Sequence, residues 1–210
     1  MRRFSRRVLC TFAVLALPVT ARAQPAWDSP MLLPPGVEDG LGIHVMDGHA
    51  SGVGAMLTWR APRWNFGVRG GLVDGHRDDI GLIGGIDVNG RLTRSTEEFP
   101  LDIDWVFGAG IGIDDGARVS LPLGLSIGHV FVGEEATFVP YATPRVILDA
   151  FIGDDDFDDD DDRGRGRGDD DVHLGFAVDL GLDLRVTPAF LIRFGASLGD
   201  REAVALGLVF

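Results

Sequence analysis

Lysine is missing altogether from the 210 residues, and cysteine and tyrosine occur once each. The lone Cys10 lies in an apolar N-terminal run and lacks the small residues that precede a lipidation cysteine. A chain that loses this run has neither a disulfide nor a thiol site. Basic charge is also scarce, with 19 arginines against 32 acidic residues. A balance of that sign excludes a nucleic-acid partner, which needs a basic surface to displace its counterions. After the N-terminal run, no stretch offers the ~20 consecutive apolar residues of a transmembrane helix. There is no Ser-His-Asp elbow, phosphate loop, zinc-ligand spacing or dinucleotide fingerprint. No cofactor and no enzymatic activity are therefore expected.

What is present begins with the layout of a secretory signal peptide. Arg2, Arg3, Arg6 and Arg7 precede the short apolar stretch from Val8 to Leu17, and Ala21-Arg22-Ala23 has the small-x-small form of a cleavage site. Cleavage after Ala23 leaves fourteen arginines against 32 acidic residues, a net charge of −18. Residues 24–39 hold Pro25, Pro30, Pro34 and Pro35 and read as an extended arm, expected on the periplasmic side of a barrel formed by 40–210.

From residue 40 onward the apolar period is two. Leu101, Ile103, Trp105, Phe107, Ala109, Ile111 and Ile113 alternate with Asp102, Asp104, Val106 and glycines. The run from Val172 to Val186 alternates in the same way. At 180° per residue both segments are nearly perfect, and at 100° neither has a coherent face. Thirty glycines weigh further against helix. The pattern predicts strands at 41–46, 52–60, 64–74, 79–88, 101–113, 118–131, 138–151, 172–186, 189–199 and 203–210. The connection from Asn89 to Pro100 is left open, since the fourth strand has a pattern that can continue to Arg94. The fold class is all-β: a closed, antiparallel, up-and-down transmembrane barrel of ten strands, or alternatively eight.

Alternation does not say which face points inward. The non-apolar face is mainly Gly, Ala and Ser with charges of both signs: Arg60, Arg69, Asp87, Asp102, Asp104, Arg145, Asp149, Asp179, Asp183, Arg185 and Arg193. That composition suits a narrow lumen in which Arg–Asp pairs satisfy one another, and the apolar face then meets lipid. Two other readings of the same face are a narrow solute channel and a soluble, lipocalin-like binding barrel with its apolar side inward. Trp59, Trp64, Trp105, Phe131, Tyr141, Phe151 and Phe190 fall mostly near strand ends, as a headgroup belt does.

At the end of the chain Val204, Leu206, Leu208 and Phe210 alternate, and Phe210 is last. This resembles the C-terminal signal strand of bacterial outer-membrane barrels. With the signal peptide and the turn rhythm, the chain looks like the small OmpA-like or OmpX-like barrels. The resemblance implies the outer membrane of a Gram-negative bacterium, contact with its lipid and recognition by the barrel-assembly machinery. It implies a monomer with a structural or surface-interaction role rather than a particular chemistry.

If both termini are periplasmic, the loop 152–171 is external. From Gly153 to Asp171 it holds eleven Asp and three Arg. Asp158, Asp160 and Asp162 have the spacing of an EF-hand start, with Asp156 just before them. However, Arg163 stands where that motif needs Gly, and Asp169 where it has Glu. The loop reads as a solvated, self-repelling segment with at most weak calcium association. Asp47, His49, Asp74, His76, Asp78, Asp79, Asp114, Asp115, Asp171 and His173 also fall at the outer strand ends. The omptin proteases, ten-stranded outer-membrane barrels, activate water with Asp–His and Asp–Asp pairs in such a place, and Asp171-Val172-His173 has a similar form. The Asp102-Ile103-Asp104 counterpart lies at the opposite end, so rim hydrolysis is not expected.

Overall fold

The computed structural model describes residues 26–36, 40–48, 52–61, 64–74, 80–113, 117–152 and 172–210. A period-two chain broken by turn residues folds as a meander. The strands are β1 (Gly40–Gly48), β2 (Gly52–Ala61), β3 (Phe66–Asp74), β4 (Ile80–Thr93), β5 (Asp102–Ile113), β6 (Ala117–Gly128), β7 (Phe131–Val132), β8 (Thr137–Ile152), β9 (Val172–Thr187), β10 (Phe190–Gly199) and β11 (Ala203–Val209). Every pairing is antiparallel. β1 pairs with β11 and β6 pairs with β8, so ten strands close into a barrel, not eight. β7 is a two-residue tab on the start of β8, outside the ring.

The fourth strand runs on to Thr93, with its register shifting against β5 between Arg91 and Thr93. The doubtful connection thereby shortens to 94–101. Closure is completed at the last residue. The Phe210 N–H donates to the Leu41 carbonyl at 2.9 Å, and Leu41 N–H donates back to Phe210 at 3.1 Å. A closed ring leaves none of the unpaired strand edges that invite aggregation.

The start of β1 and the end of β11 share one rim, called here the terminal rim. The 188–189 turn and the connections 94–101 and 129–136 lie there with the end of β2 and the start of β3, whereas the strand ends Gly48 and Gly52, Asp74 and Ile80, Ile113 and Ala117, and the 200–202 connection, lie at the far rim with the end of β8 and the start of β9. Loop length separates the two rims less cleanly than the sequence suggested. The segment 153–171, the longest stretch of sequence between two strands whose ends meet at the far rim, lies outside the described residues.

The two faces differ sharply. On β11, Ala203, Ala205 and Val209 are buried while Val204, Leu206, Leu208 and Phe210 are exposed. The same alternation runs round the ring. Forty large apolar side chains among the described residues are exposed, most of them on the outward face of the ring strands, and the buried arginines and aspartates of the strands face inward.

Candidate functional site: the barrel lumen

Residues 26–36 are not an arm lying outside the barrel, as the sequence suggested; they pass through it. Ala26–Asp28 form a single 3-10 turn, and Trp27, Met31, Leu32 and Leu33 are almost wholly buried. The order of contacts fixes the direction. Asp28 meets Arg201 at 2.7 Å and Arg118 at 3.9 Å near the far rim. Gly36 N–H reaches Asp104 at 3.0 Å near the terminal rim.

The arm joins no strand, so its backbone groups need other partners. The wall arginines supply them. Arg145 donates to the carbonyls of Trp27 (2.8 Å) and Ser29 (3.3 Å), and Arg69 to those of Pro30 (3.3 Å) and Met31 (2.6 Å). Arg193 donates to Leu32 (3.0 Å) and Ser126 to Leu33 (2.5 Å). Met31 N–H donates to Asp179 at 2.9 Å. Pro30, Pro34 and Pro35 carry no N–H, which lowers the number of donors to be satisfied in a lumen already rich in them.

Inward-facing glycines make the space. A Cβ at Gly108 would fall 2.5 Å from the Trp27 ring, and one at Gly110 would fall 2.6 Å from Trp27 Cδ1. A Cβ at Gly195 would meet Leu32 at 2.6 Å. Arg69 stacks over the Trp27 ring at 3.9 Å, a cation–π contact. The arm's apolar side chains join Met46, Met56, Val73, Ile83, Val106 and Ala205 in one buried cluster. Leu32 has a φ of 56°, a conformation that costs a non-glycine residue about 1–2 kcal/mol.

The wall's own ion pairs stay close to the wall. Arg193 and Asp183 are register partners on neighbouring strands and meet at 2.6 Å. Arg145 meets Asp179 on the adjacent strand at 3.0 Å. Arg60 pairs with Asp87 two strands away and donates to Asn89 at 2.7 Å. Arg201 and Arg118 both pair with Asp149, which also accepts from Ser120. None of these pairs bridges opposite sides of the ring. What crosses the middle is the arm.

Of the eleven charges read from the sequence as luminal, nine are buried inside: Arg60, Arg69, Asp87, Asp104, Arg145, Asp149, Asp179, Asp183 and Arg193. Asp102 and Arg185 are half-buried at the terminal rim, where Asp102 accepts from Ser95 N–H at 3.0 Å. Sequence reasoning missed Asp28, Arg118 and Arg201, which belong to the same network, and His44, whose Nε2 lies 3.1 Å from Thr58 Oγ1. It also missed Trp27. A run holding Trp27, Met31, Leu32 and Leu33 is too apolar for a solvated arm, and that was the available signal.

Tyr141, expected in the aromatic belt, is buried in the lumen because it falls on the inward parity of β8. Trp59, Trp64, Trp105, Phe131 and Phe151 are exposed, all but Phe151 toward the terminal rim. His129 packs on Phe131 and Phe131 on Phe138, with centroids 4.6 and 4.9 Å apart.

The remaining space is small. One cavity of about 30 Å³ lies among Leu32, Arg60, Arg69 and Arg193, and one of about 90 Å³ beside Pro34, Pro35 and Arg185. These volumes have room for a few water molecules, whereas small-molecule sites occupy ~300–1,000 Å³. His173 lies opposite Asp149 in register, but the Asp149 carboxylate is taken by Ser120, Arg118 and Arg201. Asp156, Asp158, Asp160, Asp162 and Asp171 lie outside the described residues, among which no metal-ligand cluster occurs. No protein-family model, curated protein or solved structure matches the chain.

Proposed function

We propose that this chain is a monomeric outer-membrane barrel of a Gram-negative bacterium, closed to solutes, with a structural or surface-interaction role. The observation that carries the reading is the outward apolar face. Soluble monomers expose contiguous apolar patches of a few hundred Å². Here such side chains cover the outside of all ten strands, from Ile43 on β1 to Leu208 on β11. Lipid stabilises such a face, and water does not. The signal-peptide-like pattern of residues 2–23 and the outward alternation of Val204, Leu206 and Leu208 support this location. A lipocalin-like role requires an apolar cavity inside, and this interior is ionic and filled. A constitutive solute channel requires a bore, and the arm occupies it.

The test is subcellular fractionation followed by gel mobility in SDS with and without boiling. The expected result is a band in the outer-membrane fraction that shifts on heating, as closed membrane barrels do. A periplasmic, soluble protein with no heat shift defeats the proposal.

A further inference from the structure

We infer that residues 26–36 are a displaceable plug, and that the lumen they vacate is an anion-selective pathway whose selectivity is set by Arg69. This rests on the membrane reading above and adds an activity to it. Three observations carry it. First, the arm is held only by side chains and makes no strand pairing, while the ring closes without it through β1–β11 and β6–β8. Second, the wall ion pairs between strands join strands at most two apart, and Arg201, in the connection after β10, reaches back only to Asp149 on β8. They line the lumen and do not span it, so the arm's departure leaves an axial gap, not a repacked core. Third, the arm carries strain at Leu32 that its release relieves.

The sign of selectivity follows from the partners. Arg60, Arg145, Arg193, Arg201 and Arg118 each keep a wall aspartate when the arm leaves. Arg69 does not. Among the described residues its hydrogen bonds go to Ser29, Pro30 and Met31, all on the arm, and its guanidinium lies on Trp27. Asp28 departs with the arm and removes one negative charge from Arg201 and Arg118. Without the arm the lumen holds Arg60, Arg69, Arg118, Arg145, Arg193 and Arg201 against Asp87, Asp104, Asp149, Asp179 and Asp183, a net of +1, with the Arg69 guanidinium in the field of Asp87 and Asp179 but ion-paired with neither, the arrangement that favours small anions in a pore.

The experiment uses the full mature chain with Trp27→Ala, Asp28→Ala and Leu32→Ala together. This removes the arm's anchors and leaves every wall residue in place. Vesicle flotation and the heat-shifted band report insertion and folding. Ser29→Cys, in a chain whose only native cysteine is Cys10 of the leader, reports whether the arm has left, through labelling by a water-soluble thiol reagent. Planar phosphatidylcholine bilayers under a KCl gradient report conductance and its sign.

The expected results are a silent, unlabelled parent and a labelled triple variant that conducts with chloride preferred over potassium. A synthetic peptide of residues 24–36 blocks that current, and Arg69→Gln in the triple background lowers the chloride preference. A variant that floats, shifts on heating and labels, yet stays silent or prefers potassium, overturns the anion pathway alone. A folded variant that never labels overturns displaceability. Failure of parent and variant alike to float or heat-shift overturns the membrane reading and this inference with it.

Discussion

Adding one methyl group at Gly110 tests whether the arm is seated as described. A Cβ there would fall 2.6 Å from Trp27 Cδ1 and 3.2 Å from the Ala26 Cβ. Carbon atoms sit comfortably at about 3.5–4.0 Å, so the indole must retreat by about 1 Å. It has little room, because Arg69 lies against its face at 3.9 Å and Gly108 is close on the wall. Overpacking of this kind costs about 1–3 kcal/mol, which raises the population of arm-released molecules about 5- to 150-fold. The Met31 amide, bonded to Asp179 at 2.9 Å, is the reporter. Its hydrogen exchange occurs through release of the arm and accelerates by the same factor. Gly84→Ala is the control, since Gly84 faces outward on β4 and its Cβ would meet nothing nearer than Ile111 at 4.0 Å. An unchanged Met31 rate in Gly110→Ala, or equal acceleration in Gly84→Ala, refutes the seating of Trp27 against β5.

Three further outcomes follow from the same contacts. Asp179→Asn leaves Arg145 buried without its carboxylate; the expected loss is about 3–5 kcal/mol, read as a lower temperature for the heat-induced mobility shift. Asp102→Asn, at the half-exposed rim, moves that temperature far less, and equal effects contradict the burial difference. Phe194→Arg, outward on β10, costs ~2–4 kcal/mol if the face meets the bilayer midplane and within ~0.5 kcal/mol if it meets water, by denaturant titration in vesicles. Phe210→Ala removes the terminal aromatic and is expected to reduce the folded, heat-shifted fraction in cells; full assembly contradicts its role as a signal.

The strand pattern was legible because period two survives every tertiary choice: residues i and i+2 share a face whatever packs there. Thus β5, β6 and β9 appear within a residue or two of expectation at their opening residues. The same count favoured ten strands and left eight open, and the β1–β11 and β6–β8 pairings decide for ten. Parity also told Arg145 and Asp179 to point where Gly108 points. It did not tell what fills the space between them. Proline-rich composition suggested an arm outside, since local signals cannot report a segment whose partners lie 38 to 161 residues away, as with Arg69–Met31 and Arg193–Leu32. The glycines at 108, 110 and 195 were read as helix breakers and as part of a small-residue inward face, but not as the volume that residues 26–36 of the same chain occupy.

The filled lumen gives a physical reason for the absence of lysine. Arg145 makes five contacts from one planar group: to Trp27 O, Ser29 O, Ser197 Oγ and both oxygens of Asp179. Arg69 and Arg193 each serve two or more acceptors in the same manner. A guanidinium forks toward a carboxylate on one side and carbonyls on another. An ammonium has three N–H groups at one point and reaches fewer of them. Arg145→Lys keeps the charge and the Asp179 ion pair, yet it strands at least two buried acceptors at about 1–3 kcal/mol each. The arm, which supplies two of those acceptors, is the part expected to loosen. Faster Met31 exchange, with the wall strands still protected, is the expected result. If Arg145→Lys leaves Met31 exchange at the parental rate, charge alone holds the arm and the fork geometry is irrelevant to it.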